Sequence, residues 1–159
     1  MERERANEEN GRDGVNEDLC KELVRAAERG ETERVKELLR REGVDVHHAE
    51  GMHVAWKKTG FLAACAGGHL ETARVILEYG GQTQGELEDS FMAAAREGGR
   101  EIVKMLMERG VGPSVRDNEA VCWAAARGHC DVLQVLLRDP RVDPAAQNQW
   151  TIGLAAYYA

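Results

Sequence analysis

An internal repeat is the feature that most constrains how this chain can fold. Four segments carry a pair of small residues followed three residues later by a glycine, and a fifth segment carries the pair alone. The glycines are Gly30, Gly68, Gly98 and Gly128, and Ala159 occupies the corresponding fifth position. The steps between these positions are 38, 30, 30 and 31 residues. Units of this size cannot bury an apolar face alone, so the pattern indicates a stack of repeats with one continuous core.

Each unit predicts two short helices joined by a tight turn. The first helix ends at the glycine, which can adopt the left-handed conformation that such a turn needs. The second helix has apolar residues at helical spacing, such as Val35, Leu38 and Leu39 in the first unit. We therefore expect an all-α fold. Its helices are predicted over residues 19–29, 32–41, 59–66, 70–79, 88–97, 100–109, 119–127, 130–138 and 150–157.

The small-residue pairs predict the closest helix contacts of the stack. They are Ala26-Ala27, Ala64-Cys65, Ala94-Ala95, Ala124-Ala125 and Ala155-Ala156. A small side chain lets neighbouring first helices approach each other, and a large one would overpack the contact at a cost of about 1–3 kcal/mol. We expect these pairs to be buried between successive units.

The second unit resembles the ankyrin repeat. Its segment TGFLAACAGGH, from Thr59 to His69, is similar to the family pattern TPLHLAAxxGH. The departures from that pattern are Gly60, Leu62 and Ala63. The matching small residues and GH turn of the fourth unit are Ala124, Ala125, Gly128 and His129. The resemblance covers residues from about 19 to 159, and no unit keeps the whole TPLH signature. It implies a solenoid of stacked helix-turn-helix units, with four repeats and a truncated fifth.

The repeat register divides the chain into a tail and one repeat domain. Residues 1–16 are polar and are expected to form a disordered acidic tail, and residues 17–159 are expected to form the ankyrin-like domain. We place the repeats at about 19–46, 57–84, 88–115, 118–146 and, as a partial unit, 149–159.

The two ends of the array differ in their chemistry. Arg25, Arg34 and Glu37 give the first unit a polar outer face, which is typical of a capping repeat. The fifth unit stops after its first helix, so we expect an uncapped end that frays from residue 150 onward. Apolar surface at such an end predicts weak self-association.

Charge and composition exclude several classes of partner. The chain has 21 Lys and Arg against 28 Asp and Glu, and its net charge of −7 provides no basic field for nucleic acid or an anionic membrane. No apolar run is long enough to cross a bilayer, and the polar N-terminus is no secretory signal. We therefore interpret the four cysteines as reduced thiols of an intracellular protein, cytoplasmic or nuclear.

Two groups of residues could carry chemistry, and we favour a structural interpretation of each. Cys65 and His69 lie four residues apart, but Cys65 falls in the small-residue column and His69 in the GH turn of the family. His47, His48 and His53 share a long loop, but their spacing matches no zinc pattern. We predict no catalytic residue, no metal site and no cofactor. A small thiol- or metal-dependent enzyme is the competing class.

Two tryptophans have different interpretations. Trp123 lies in a column that holds Ala63 and Ala93 in other units, so we interpret it as a core side chain. Trp56 precedes the first helix of the second unit and could be a binding anchor at the loop tip or a cover for the long loop. The sequence alone leaves both interpretations of Trp56 open.

The resemblance implies protein–protein interaction without catalysis. Ankyrin-like domains present a concave surface made from loop tips and the exposed face of each first helix. Mapped by position, that surface carries Arg29, Trp56, Lys57, Lys58, Arg96, Asp117, Asn118, Arg127, Gln149, Tyr157 and Tyr158. The expected partner is another protein. The alternative is that the chain is a regulatory or targeting fragment of a larger multidomain enzyme or channel.

Overall fold

A computed structural model of the chain describes residues 16–47, 59–113 and 115–142, with the backbone alone for residues 115–117. Within these ranges the regular secondary structure consists of eight helices, so the expected all-α class is confirmed. The first helices of the repeats are α1 (Glu17–Glu28), α3 (Gly60–Ala66), α5 (Gln84–Glu97) and α7 (Val115–Ala126). The second helices are α2 (Thr32–Leu39), α4 (Leu70–Tyr79), α6 (Arg100–Glu108) and α8 (Cys130–Leu137). The predicted helix over 150–157 lies outside the described residues.

The eight helices form two layers of a stack. Each first helix packs against the second helix of its own repeat and against the first helices of the neighbouring repeats. The second helices form the other layer in the same order, from α2 to α8. None of the helices in the described part of the chain is long and apolar enough to span a bilayer.

The predicted turns depend on glycine in the left-handed conformation. Gly30, Gly68, Gly98 and Gly128 have φ angles of 70°, 75°, 82° and 72°. In each turn, the residue after the glycine donates its backbone N–H to the carbonyl of the first residue of the small pair. The distance is 2.9 Å from Glu31 to Ala26 and 2.8 Å from Gly99 to Ala94. This bond closes each helix end and reverses the chain into the second helix.

The core lies where the repeat pattern predicts it. The four small pairs of the described repeats are buried, and Ala27, Ala64, Ala94 and Ala124 are fully inaccessible to solvent. The second helices contribute one apolar face each, and its fully buried residues include Val35, Leu38, Ile76, Val103, Leu106 and Leu136. The predicted spacing of apolar residues along these helices is therefore confirmed.

Three first helices begin earlier than predicted, α1 by two residues and α5 and α7 by four. α5 begins at Gln84 rather than at residue 88, because the hydroxyl of Thr83 accepts the backbone N–H of Glu86 at 3.2 Å and caps the helix. α7 begins at Val115 rather than at residue 119, and Asn118 within it has a φ of 64°. Asn118 is the non-glycine residue with a positive φ in the part of the chain that the structure describes.

The first repeat presents a polar end to solvent. Arg34 on α2 pairs with Glu22 on α1 and with Glu37 one turn along, and Arg25 is exposed although Ala63 is buried in the same column. This column therefore faces the preceding repeat, and in the first unit it meets solvent. Asn16, which the sequence analysis assigned to the tail, instead caps α1 by accepting the backbone N–H groups of Asp18 and Leu19. Residues 1–15 lie outside the described residues.

Candidate protein-binding face

Three of the sequence-predicted surface residues lie near the ends of first helices, beside the turns. Arg29 and Arg127 occupy the same position in their repeats, directly before the turn glycine, and both are exposed. Arg29 is within 3.7 Å of Glu31, an exposed ion pair that contributes little to stability. Arg96 is half-buried and pairs with Glu97 at 2.8 Å. The described part of the predicted face thus carries three guanidinium groups at the C-terminal ends of first helices or directly after them.

Asn118 does not belong to an exposed face. The residue is only 9% exposed, and its Oδ1 has no hydrogen-bond partner among the described atoms. The left-handed backbone at Asn118 interrupts the regular geometry of α7, and this conformation is more accessible to asparagine than to most residues. The prediction that Asn118 contributes a surface contact is therefore wrong.

The remaining predicted surface residues are beyond what the structure describes. Asp117 is in α7, but its side chain lies outside the described atoms. The others, Trp56, Lys57, Lys58, Gln149, Tyr157 and Tyr158, lie outside the described residues.

Trp123 was missed as a surface residue. Its indole is 40% exposed, and its Nε1 donates a hydrogen bond to Oε1 of Glu119 at 3.1 Å. The same column holds the buried methyl groups of Ala63 and Ala93. The close approach of neighbouring first helices leaves no room for an indole there, so the ring extends toward solvent. The interpretation of Trp123 as a core side chain is wrong, and the alanines in its column were the signal that could have shown it.

One carboxylate joins three repeats at the loop-tip end of the stack. Glu86, in the first turn of α5, accepts a hydrogen bond from the hydroxyl of Thr59 at the start of α3. Its other oxygen lies 3.4 Å from Nδ1 of His47, which follows the first repeat. The side chain of Glu86 is only 10% exposed. The repeat pattern did not predict this contact, although the spacing from Thr83 to Glu86 is a recognisable helix-start signature.

Two histidines join repeats at the opposite end of the stack, beside the turns. Nε2 of His69 donates to the carbonyl oxygen of Glu28 at 3.0 Å, and Nε2 of His129 donates to that of Arg96 at 2.9 Å. Because a carbonyl oxygen can only accept, Nε2 must carry the proton in both rings. Each ring also covers a glycine of the preceding repeat: a Cβ at Gly30 would collide with Nδ1 of His69. The structural role of these turn histidines is therefore to bind the end of the first helix in the preceding repeat.

The thiols differ in burial along the chain. Burial raises the pKa of Cys65 to about 12, against a smaller opposing effect of the Ser90 hydroxyl, although no hydrogen bond of ordinary geometry joins the two groups. Burial also raises the pKa of Cys20. Cys130 is exposed, but the ring of the adjacent His129 is turned toward the preceding repeat. Within the described ranges, no group of three or more His, Cys, Asp and Glu side chains is placed to hold a metal ion.

The last described helix leaves an apolar side chain exposed. Leu39 and Leu77 occupy the same position of their second helices and are 9% and 6% exposed. Leu137, at that position of α8, is 49% exposed. This column therefore faces the following repeat, and no described residue covers it at α8.

Comparison with protein families gives one match in the region of the described repeats. A family model described as ankyrin repeats (3 copies) matches residues 23–117. That segment runs from the second half of α1 into the start of α7 and contains α2 to α6 in full. The comparison with curated proteins gave no match.

Proposed function

The chain belongs to the ankyrin repeat family, and from that premise we propose that it is a non-catalytic scaffold that binds another protein. Ankyrin repeats generally mediate protein–protein interaction. The proposed binding face consists of the exposed ends of the first helices and the loop tips. Its described residues are Arg29, Arg96, Trp123 and Arg127, and the undescribed residues proposed for it are Trp56, Lys57, Lys58, Asp117, Gln149, Tyr157 and Tyr158.

The observation that carries this proposal is the position of Trp123. Tryptophan and arginine are the residues that most often dominate the binding energy of protein interfaces. The hydrogen bond to Glu119 fixes the indole before any partner arrives, so little side-chain freedom is lost on binding. Arg127 directly follows the last residue of α7, and its backbone N–H donates to the carbonyl of Trp123 at 3.1 Å, which brings both kinds of anchor to one region of the surface.

Affinity capture from the source cell tests the proposal with three forms of the protein. The first is the wild type, the second is Trp123→Ala with Arg127→Glu, and the third is Arg74→Glu on the outer second helix α4. Arg74 is exposed and forms only a long ion pair with Glu71, so its replacement leaves the proposed face intact. We expect the Arg74 variant to capture the same proteins as the wild type in similar amounts. The variant with both Trp123→Ala and Arg127→Glu, called the face variant, should capture at least tenfold less of each.

A retained protein is then purified and its dissociation constant measured for all three forms. A loss of ten- to hundredfold for the face variant corresponds to about 1.4–2.8 kcal/mol. Equal retention and equal affinity of the face variant and the Arg74 variant would contradict the proposed surface.

Weak self-association through the C-terminal edge is part of the same proposal. The exposed Leu137 supports it, because contiguous apolar surface favours association. In sedimentation velocity, the sedimentation coefficient should increase less with protein concentration for Leu137→Gln than for the wild type. Tyr79→Gln is the control, because Tyr79 is 56% exposed and lies on α4. An equal increase of the sedimentation coefficient for the wild type and both variants would contradict self-association through this edge.

We also propose a cellular compartment and the limits of the repeat domain. The buried thiols of Cys20 and Cys65 support an intracellular location, where thiols remain reduced. We place the repeat domain at residues 17–159, and limited proteolysis should first remove the segment before Asn16. Early cleavage within α1 would contradict that limit.

A further inference from the structure

The junction between the second and third repeats lacks the histidine contact that joins the other repeats. The position of His69 and His129 is occupied in the third repeat by Gly99. As a result, Gly68 is uncovered: a Cβ placed on it would have no neighbour within 4 Å among the residues that the structure describes. By contrast, a Cβ on Gly98 would lie 2.8 Å from the ring of His129. The missing contact is a property of this one junction among the described repeats.

The backbone at Gly99 is the same as at the two histidines. Its φ and ψ are −75° and 66°, compared with −87° and 78° at His69 and −79° and 73° at His129. The chain therefore follows the same path in all three turns. Only the side chain is missing, and the carbonyl of Ala66 is the equivalent acceptor at this junction.

The second helices show the same difference. α4 and α6 contact each other less closely than α2 contacts α4 or α6 contacts α8. The hydroxyls of Thr32 and Thr72 share a hydrogen bond of 2.7 Å between α2 and α4. The equivalent residues are Leu70 and Ile102 between α4 and α6, and Arg100 and Val132 between α6 and α8. None of these four has a hydroxyl, so this bond strengthens the first pair of repeats alone among the described junctions.

The loop-tip end of this junction is joined. There, the hydroxyl of Thr59 donates to Glu86, and this contact connects the start of α3 to the first turn of α5. The second and third repeats are thus connected at the loop tips and along their first helices, which pack together as extensively as those of the first two repeats. Their turns and second helices are less strongly connected.

We infer that the array contains a hinge at this junction. The first and second repeats form one rigid pair, and the third and fourth repeats form another. The pairs open at their turn end about the contact between Thr59 and Glu86. In a linear array each repeat interacts only with its neighbours, so one weak interface separates the array into two cooperative units. A hinge here changes the curvature of the first-helix face, and it exists whether or not the proposed partner surface is correct.

Spin-label distances measure the hinge directly. Lys36, Arg74 and Lys104 occupy the same position on α2, α4 and α6, and each forms an ion pair with a glutamate three residues earlier. Pairs of cysteines at 36/74 and 74/104 are introduced after Cys122 and Cys130 are replaced by serine. We expect a distance distribution at least twice as wide for 74/104 as for 36/74. Equal widths would overturn the inference.

Gly99→His supplies the missing contact, and Gly99→Ala is its matched control for the loss of glycine flexibility. We expect the histidine to narrow the 74/104 distribution to the width of 36/74. It should also slow hydrogen exchange of α4 and α6 amides about fivefold relative to the alanine variant, the effect of one added hydrogen bond of about 1 kcal/mol. A histidine variant that folds but matches the alanine variant in both measurements would overturn the inference. If Gly99→His fails to fold, the comparison of the 36/74 and 74/104 distance distributions in the protein that retains Gly99 still tests the inference.

Discussion

His129 donates a hydrogen bond from Nε2 to the backbone carbonyl of Arg96, so the turn of the fourth repeat holds the end of the third repeat's first helix. The contact spans 33 residues of sequence and places an imidazole directly over Gly98. His69 repeats the arrangement with Glu28. At Gly30 and Gly98 the absence of a β-carbon is therefore required for two reasons, the left-handed backbone and the histidine ring of the next repeat.

Gly98→Ala is expected to destabilise the protein more than Gly128→Ala. Both glycines have a positive φ, so both variants lose about 1–2 kcal/mol from the left-handed conformation. Of these two variants, Gly98→Ala also displaces a histidine ring, whereas no described residue lies within 4 Å of a Cβ on Gly128. Urea unfolding midpoints measure the difference. Combining each substitution with His129→Ala should abolish the difference, and a difference that persists would show that the ring is not its cause.

Overpacking the small-residue column is expected to be costly only within the stack. Ala94→Leu and Ala124→Leu should each destabilise the fold by about 1–3 kcal/mol, because both alanines are fully buried. Arg25→Leu should have a much smaller effect, since Arg25 is exposed at the outer end of the first repeat. Denaturant midpoints of the three variants provide the comparison. Equal losses at all three sites would contradict the assignment of the first repeat as a cap.

Removing the cap of α5 is expected to weaken the third repeat. Thr83→Ala leaves the backbone N–H of Glu86 without its acceptor and should cost about 1 kcal/mol. Thr83→Ser keeps the hydroxyl and should recover most of that loss. Thermal unfolding and hydrogen exchange in the first turn of α5 measure both effects. If serine and alanine were equally destabilising, the capping hydrogen bond would not be the source of the stability.

The thiols are expected to react at very different rates. Cys130 is exposed and should react first with a thiol reagent at pH 8, and Cys130→Ser should remove that fast phase. Cys65 should stay unreacted in the folded protein, because its raised pKa of about 12 leaves almost no thiolate. Rapid labelling of Cys65 in the native state would contradict its burial.

The raised pKa of Cys65 also gives a dependence of stability on pH. The folded state holds the thiol proton more tightly than the unfolded state, so the contribution is complete below the ordinary thiol pKa of 9.0. It is lost as the pH rises from about 9 toward about 12. Cys65→Ala should therefore unfold with a weaker pH dependence than the wild type over that range.

The local pattern of residues was sufficient to predict most of the helices. The turn glycines, the small pairs and the apolar spacing of the second helices each depend on residues within one repeat, and the structure has them where the sequence predicts. The start of α5 was predicted too late because the cap at Thr83 was overlooked, although its signal is also local. The sequence by itself therefore determined the helix pairs and their order along the chain.

What only the tertiary structure decided is the set of contacts between repeats. The exposure of Trp123 depends on the room left between α5 and α7, and the burial of Asn118 on the path of the chain into α7. Glu86 meets Thr59 and His47 from 27 and 39 residues away. A periodic pattern defines each unit and repeats it, but the physical difference between one junction and the next lies in single side chains that meet across the stack. The contrast between Gly99 and His129 is visible in the sequence, and its consequence for Gly68 and Gly98 appears only when the repeats are packed together.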